Sequence, residues 1–279
     1  MARKIKTIME NGIDKREVGY YSTPSFVAKY LTHEMLSINP NGASVLDPAV
    51  GREELLEEFY KAGKTIDSYD IIKHCEYRMS NFCQRNFIEV YADFVNNNFF
   101  STEASHYDYM IANPPYNCHE INYIKENKKW LNCLFPVGVY NMYSIFLSAM
   151  ISMAKDGCLI GVVISDSFLT SNYHSKLREQ ILSTCSIHQI ILCPTDLFWS
   201  QHADVRTCIM ILQKGKKYQS NVLISNRPNS ISEFKDILLN HALKDVSIDS
   251  LLLKCNKVSN QILIDVNQEI VGLFHRYPS

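Results

Sequence analysis

Long apolar runs are missing from this sequence of 279 residues. The longest, at residues 158–164 and 187–193, have the length of a β-strand, whereas a helix needs about 20 apolar residues to cross a bilayer. Residues 1–10 include Lys and Arg but no apolar stretch, so they do not have the pattern of a secretory signal. We therefore expect neither a membrane span nor secretion.

A surplus of positive charge is missing too. The sequence has 28 Lys and Arg against 29 Asp and Glu, which gives a formal net charge of −1. Proteins that bind nucleic acid without a partner usually carry a net positive charge, because contacts to phosphates dominate their affinity. The balance of charge therefore argues mildly against an autonomous DNA-binding protein.

Metal-binding spacings are absent as well. None of the nine cysteines forms a Cys-x-x-Cys pair, and the nine histidines include no His-x-x-x-His pair. An odd number of cysteines without a disulfide framework, in a chain without a signal, indicates reduced thiols in the cytoplasm. We expect no metal site.

The sequence does contain ample apolar material in alternating strand and helix patterns. Apolar residues make up 46% of the chain and charged residues 20%, which is enough for one large core. Strands are predicted at residues 44–47, 65–72, 87–91, 108–112, 158–164, 187–193 and 205–212, and helices at 51–64, 143–154 and 175–183, with a helical stretch ending near 83 and an unplaced helix at 232–243. This alternation predicts an α/β fold with a mostly parallel, seven-stranded sheet and helices on both faces.

Polar side chains follow several of the predicted strands. Asp47, Asp70, Asp93 and Asn113 each lie at or just past a strand end. Ligands gather at the carboxyl edge of such a sheet, so we expect these groups to converge on one site. Asp70 is placed to accept hydrogen bonds from a ribose, and Asp93 from an adenine amino group, with Phe94 packing on the base.

The run Asn113-Pro114-Pro115-Tyr116 is more specific than any single acidic residue. Two prolines fix φ twice and remove two backbone donors, so the segment is rigid and extended. The Pro114 carbonyl and the Asn113 side-chain oxygen then form two acceptors that suit an NH2 group. Engaging both hydrogens keeps the nitrogen lone pair available for attack, and Tyr116 offers a face for the ring that carries the amine.

Four segments together resemble a known family. Residues 111–116 resemble the NPPY motif of class I amino methyltransferases that use S-adenosylmethionine, and residues 45–51 resemble their first cofactor motif. Residues 20–24 are similar to the Tyr-x-Thr-Pro segment of N6-adenine DNA methyltransferases of the gamma arrangement. Residues 204–214, after Phe198, are similar to the late motif of that group.

The resemblance implies a Rossmann-like catalytic domain at residues 19–214, an N-terminal extension at 1–18 and a C-terminal extension of unknown role at 215–279. It implies S-adenosylmethionine as cofactor and methyl transfer to the amino group of a flipped adenine in DNA, as in restriction–modification. The implied cofactor-binding residues are Tyr21, Thr23, Pro24, Asp47, Pro48, Ala49, Gly51, Asp70, Ile71, Asp93, Phe94 and Asn113. The implied catalytic residues are Asn113, Pro114, Pro115, Tyr116 and, less firmly because Trp199 is adjacent, Phe198.

The sequence departs from the family pattern in its cofactor loop. Glu53 stands where the pattern has a second glycine, and glycine serves such loops through backbone freedom and close ligand approach. Glu53 is expected either to oppose the methionine carboxylate or to be a first-turn helix carboxylate that faces water.

The residues after Gln213 are also too few for a full target-recognition domain. We therefore expect a specificity partner, or a missing recognition domain, to supply DNA recognition.

Two other functions remain open at this stage. An RNA or protein-glutamine methyltransferase of the same fold would use the same acceptors, because any planar NH2 group fits them. A degenerate methyltransferase-like subunit that serves complex assembly would account for Glu53 and the short C-terminal segment.

Overall fold

The computed structural model describes residues 20–97, 105–116, 122–201, 205–215, 221–255 and 258–265. Its main feature is a sheet with helices on both faces. The helices are α1 (Ser25–Ile38), α2 (Glu57–Lys61), α3 (Phe87–Asn97), α4 (Asn122–Leu134), α5 (Met142–Met153), α6 (Ser167–Thr170), α7 (Ser175–Thr184), α8 (Ile231–Leu239) and α9 (Ile248–Leu251). The strands are β1 (Ser44–Asp47), β2 (Thr65–Asp70), β3 (Asn81–Gln84), β4 (Tyr109–Ala112), β5 (Leu159–Ser165), β6 (Cys185–Leu192), β7 (Thr207–Lys214), β8 (Asn221–Ser225), β9 (Lys244–Ser247), β10 (Leu252–Cys255) and β11 (Val258–Ile262).

Nine of these strands form one sheet in the order β3-β2-β1-β4-β5-β7-β6-β8-β9, and β10 and β11 form a separate hairpin. The five neighbouring strands β3, β2, β1, β4 and β5 run parallel to one another. Strand β7 is antiparallel to β5 and β6, β8 is parallel to β6, and β9 is antiparallel to β8. The carboxyl ends of β1, β2, β4 and β5 therefore meet at one edge.

Alternate residues of the central strands enter two apolar cores, one on each face of the sheet. Val45 packs on the face covered by α1, α2 and α8, whereas Leu46 packs on the face covered by α3, α4, α5 and α7. Helix α5 is almost wholly buried, which matches its apolar sequence. This packing fixes the register of the strands and thereby the positions of the residues that follow them.

The structure confirms the predicted α/β fold, but the sheet has nine strands rather than seven. Strands β8 and β9 account for the difference, and both lie in the segment predicted as a C-terminal extension. The unplaced helix at residues 232–243 is confirmed as α8.

Two local predictions are wrong. Residues 87–91 belong to helix α3, and the third strand lies instead at β3, inside the stretch expected to be helical. The aromatic and β-branched run resembles a strand locally, but Phe87, Ile88, Tyr91 and Ala92 bury one face of a helix.

The helix predicted over residues 51–64 is likewise shortened to α2. Gly51 and Glu53 both adopt positive φ, at 56° and 63°, and such residues do not continue a right-handed helix. Turns therefore occupy residues 51–56. No helix in the part of the chain that the structure describes is both long and apolar enough to cross a membrane.

Candidate active site

Asp47 closes strand β1 with its carboxylate buried at the carboxyl edge of the sheet. Its Oδ1 accepts a hydrogen bond from the Ala49 backbone N–H at 3.0 Å. Its Oδ2 is buried and has no hydrogen-bond partner among the described residues. Burial, and then the negative charges of Asp70, Glu54 and Glu53, raise the pKa of this carboxyl well above its usual range. A cationic donor placed beside Oδ2 would favour the ionised carboxylate and supply the missing hydrogen bond.

Asp70, at the end of β2, is hydrogen-bonded to the loop that carries Gly51. Its Oδ2 accepts from the Gly51 N–H and its Oδ1 from the Ile72 N–H, both at 3.0 Å. A Cβ at Gly51 would come within 2.6 Å of the Tyr20 ring, so both the positive φ and the contact require glycine there. Ile71 is exposed beside Asp70 and is free to pack on a ring.

The structure contradicts one of the two expectations for Glu53. It is only 3% exposed, so the prediction of a carboxylate facing water is wrong. Its Oε1 accepts from the Met79 N–H and the Ser80 hydroxyl, and its Oε2 accepts from the Arg78 N–H. The charge is thus engaged by the chain between β2 and β3.

Asn113 follows β4 and has a fixed side-chain orientation. Its Nδ2 donates to the Tyr21 carbonyl at 2.8 Å and to the Thr23 hydroxyl at 3.0 Å. Because the Tyr21 carbonyl can only accept a hydrogen bond, the NH2 end of the Asn113 amide must face it. Oδ1 therefore points the other way, where it accepts from the Tyr116 hydroxyl at 2.6 Å. The Tyr116 hydroxyl also lies 2.9 Å from the Val163 carbonyl.

Three aromatic rings form a cluster that includes Tyr116, the partner of Asn113 Oδ1. The ring centroids of Tyr21, Tyr116 and Phe198 lie 5.9 to 6.3 Å apart, with tilted planes. Phe198 is 1% exposed and lies in the core, whereas the adjacent Trp199 is 60% exposed. The structure therefore brings Phe198, the weaker of the sequence predictions, next to Tyr116.

The segment of residues 20–23 links three loops of the site. The hydroxyls of Tyr20 and Ser22 both donate to Glu54 Oε1, at 2.6 and 2.8 Å. The Ser22 backbone N–H and carbonyl pair with the Gln201 side-chain amide, each at 2.7 Å. Neither Glu54 nor Gln201 was predicted from the sequence, because their partners lie far away along the chain.

The other predicted site residues belong to the segments at the carboxyl edge of the sheet. Pro24 precedes α1, where its carbonyl accepts from the first helical amides. Pro48 and Pro114 are buried, and Ala49 and Pro115 are half-buried. Their assigned roles stay predictions.

Asp93 and Phe94 are the exceptions. Both lie within helix α3 rather than after a strand, and Asp93 is an exposed partner of Arg85. The premise for their adenine-binding role is therefore wrong. Asn86, the second residue after β3, accepts at its Oδ1 from the Ile88 N–H at the start of α3.

Comparison with known protein families identifies the family of the chain. The model of the family described as N-6 DNA Methylase matches residues 9–261. The chain belongs to the N-6 DNA methylase family. The resemblance read from the four sequence segments is thereby confirmed.

Curated relatives of the chain include modification enzymes of types I and II. The chain is 28% identical over 221 residues to the type II methyltransferase M.BanIII of Aneurinibacillus aneurinilyticus, covering 69% of this chain and 38% of that one. It is 24% identical over 258 residues to the methylase subunit of the type I restriction enzyme MjaVII of Methanocaldococcus jannaschii, covering 85% and 44%. The chain thus spans less than half the length of these relatives.

Solved structures share the fold of the chain. A chain of a type I restriction–modification assembly aligns with a TM-score of 0.65 and 16% identity, covering 94% of this chain and 64% of its own. The M protein of the type I restriction enzyme EcoKI aligns with a TM-score of 0.58 and 17% identity, covering 77% and 50%. Within the described residues, no group of three or more His, Cys, Asp or Glu side chains is arranged to hold a metal ion.

Proposed function

We propose that the chain transfers the methyl group of S-adenosylmethionine to the exocyclic amine of an adenine extruded from DNA. The fixed orientation of Asn113 carries this proposal, because its Oδ1 is held as an acceptor beside an aromatic face. Membership of the N-6 DNA methylase family supports the same reaction.

The residues of the carboxyl edge fit the cofactor. Asp47 Oδ2 is a buried acceptor without a protein partner, and it suits the ammonium group of the methionine end. Asp70 has lone pairs left for ribose hydroxyls beside its two backbone donors, and the exposed Ile71 suits a ring face. When bound, S-adenosylmethionine supplies a methyl group on a sulfonium sulfur, whose bond to carbon breaks as the new carbon–nitrogen bond forms.

Asn113 and Pro114 would act on the amine that receives the methyl group. Two oxygens that accept its two hydrogens hold the nitrogen in place and keep its lone pair free. They also stabilise the positive charge that develops on nitrogen, since preorganised dipoles act strongly in a site shielded from water. The nitrogen releases one proton after the new bond has formed.

Tyr116 would hold the extruded base, and the buried Phe198 would support the ring of Tyr116. An adenine amine is paired inside a duplex, so the base must leave the stack at a cost of a few kcal/mol. Stacking on an aromatic side chain returns about 1–3 kcal/mol per base. Because the Tyr116 hydroxyl occupies Asn113 Oδ1 in this structure, the entering amine takes the place of that hydroxyl.

We further propose that a partner subunit or an additional domain completes DNA recognition, in the cytoplasm. The type I methylase subunit from Methanocaldococcus jannaschii is by name a part of a larger enzyme. The net charge of −1 supports the same idea, because it offers little general attraction for phosphates. Free cysteines in the described residues suit a reducing compartment.

The test is transfer of a radiolabelled methyl group to DNA that lacks adenine methylation. Removing a preorganised polar group from an active site costs about a hundredfold or more in rate, so we expect Asn113→Ala to lose activity on that scale. Asn132→Ala, an exposed amide on α4, is the matched control and should retain the wild-type rate.

A substrate panel of DNA, tRNA, rRNA and a glutamine-containing release-factor peptide completes the experiment. Labelling of N6-methyladenine in DNA supports the proposal. Equal incorporation by wild type and Asn113→Ala, or labelling of another substrate alone, contradicts it.

A further inference from the structure

Glu53 has the backbone conformation of a glycine. Its φ is 63°, in the left-handed region that residues other than glycine seldom adopt. The family pattern has a glycine at this position, and glycine adopts such a φ without a steric penalty. Contacts of the Glu53 side chain must therefore hold the residue in this conformation.

Those contacts tie two loops together. The carboxylate of Glu53 accepts from the Arg78 N–H at 3.1 Å, from the Met79 N–H at 3.0 Å and from the Ser80 hydroxyl at 2.9 Å. All three donors belong to the loop of residues 71–80, which connects β2 to β3 and is called the β2–β3 loop below.

The β2–β3 loop forms a wall beside the predicted cofactor residues. The Tyr77 hydroxyl donates to the Gly51 carbonyl at 2.9 Å. His74 lies with its Nε2 3.5 Å from Asp70 Oδ1, and its ring stacks on Tyr20 with centroids 4.6 Å apart. A shift of this loop would therefore displace groups that touch both Gly51 and Asp70.

We propose that Glu53 is a positioning residue for the cofactor, whose carboxylate anchors the β2–β3 loop against the loop that carries Gly51. The inference rests on the proposed function only in that Gly51 and Asp70 hold S-adenosylmethionine. It reverses the expectation from the family pattern. Restoring the glycine by Glu53→Gly relieves the backbone but removes all three anchoring hydrogen bonds, so it weakens cofactor binding.

Calorimetric titration of S-adenosylmethionine into the purified chain, without DNA, tests the order of affinities. We expect Glu53→Gly to raise the Kd about tenfold, the scale of losing one net hydrogen bond to a charged group. Glu53→Gln keeps one acceptor oxygen, and its effect should be smaller, about threefold by the same reasoning. Glu57→Gln, an exposed carboxylate of the adjoining helix α2, should bind as the wild type does.

Ser80→Ala provides a variant that leaves Glu53 in place. It removes one of the three donors and should weaken binding by about twofold to threefold. In the Glu53→Gly background the same change should weaken binding less than it does in the wild type, because the Glu53 carboxylate is already gone and only the contact of Ser80 with the Ser68 hydroxyl at 2.7 Å is left to lose. Ser80→Ala by itself, in the otherwise wild-type chain, keeps the inference testable even where Glu53→Gly does not fold.

Hydrogen exchange on the cofactor-free chain supplies a readout independent of activity. The amides of Arg78 and Met79 should lose protection in Glu53→Gly and keep it in Glu57→Gln.

The inference is overturned if Glu53→Gly binds S-adenosylmethionine as tightly as the wild type or more tightly. It is also overturned if the variants of Glu53 and Ser80 lower the Tm but leave the Kd for S-adenosylmethionine unchanged. A wild-type chain that does not bind S-adenosylmethionine also overturns it. The expected order of affinities without methyl transfer to DNA contradicts the proposed function alone.

Discussion

Replacing Thr23 with valine separates two roles for this side chain. The sequence resemblance assigns Thr23 to the methionine end of the cofactor. In the structure its hydroxyl accepts from Asn113 Nδ2 at 3.0 Å, and the residue is 5% exposed. Valine keeps the shape of threonine and removes the hydroxyl, so it deletes this hydrogen bond with little change in packing.

The size of the effect follows from one buried hydrogen bond. The Tyr21 carbonyl still holds Asn113 Nδ2 at 2.8 Å, so the amide loses one of two partners. A net loss of about 1 kcal/mol in holding the Asn113 acceptor corresponds to about a fivefold fall in the methyl-transfer rate. Thr23→Ser keeps an acceptor oxygen and should stay within about twofold of wild type by the same reasoning.

Single-turnover methyl transfer at saturating DNA and cofactor measures this rate. Calorimetry with S-adenosylmethionine alone should give the wild-type Kd for Thr23→Val. A wild-type rate in Thr23→Val, combined with a raised Kd, would refute the reasoning and place Thr23 on the cofactor instead.

Two further predictions concern buried titratable groups. Asp47→Asn should raise the Tm at pH 8, because burial makes the ionised carboxylate costly. The same change should weaken S-adenosylmethionine binding about tenfold or more, because the anionic acceptor is lost. Thermal melting measures the rise in Tm and calorimetry the loss of affinity, and a lower Tm contradicts the stability prediction. Burial of His174, with the nearby charge of Arg178, lowers its pKa to about 4, so the unfolded chain binds the proton more readily between pH 6.5 and 4. Stability is then lost as pH falls through that window, by about 2 kcal/mol at pH 5. Urea unfolding at pH 8 and 5 should show this loss in wild type and less of it in His174→Gln.

The acceptors at the strand ends could be predicted from the sequence because their signals are local. Asp47 and Asp70 close short apolar strands, and Asn113 precedes two prolines that fix the chain. Parallel strands covered by helices leave one edge where such residues meet. The order of elements was therefore enough to bring these three together.

The position of the third strand could not be predicted in the same way. Strand β3 is a mostly exposed edge strand of polar and mixed residues, so it carries no alternating apolar pattern. The neighbouring run of Phe87 to Tyr91 carries that kind of pattern, but its apolar residues bury one face of a helix that Asn86 begins. Tertiary packing decided between the two patterns.

The surroundings of Glu53 and Phe198 were also beyond local signals. The partners of Glu53 lie more than twenty residues away, and Phe198 meets Tyr21 and Tyr116 only through the fold. Nothing in the adjacent sequence shows that a glutamate replaces a glycine by anchoring a second loop. The structure shows that the Glu53 carboxylate is bound by the β2–β3 loop, and the titration of Glu53→Gly tests what this means for the cofactor.

The last two strands of the sheet have a practical consequence for shortened forms of the protein. Strand β8 covers the backbone of β6 at Gln189, Ile190 and Ile191, and the short polar strand β9 in turn covers β8. A version cut after β7 would leave the apolar strand β6 with unpaired backbone groups, which recruit strands from other chains and promote aggregation. Strands β8 and β9 therefore protect β6 from pairing with strands of other chains.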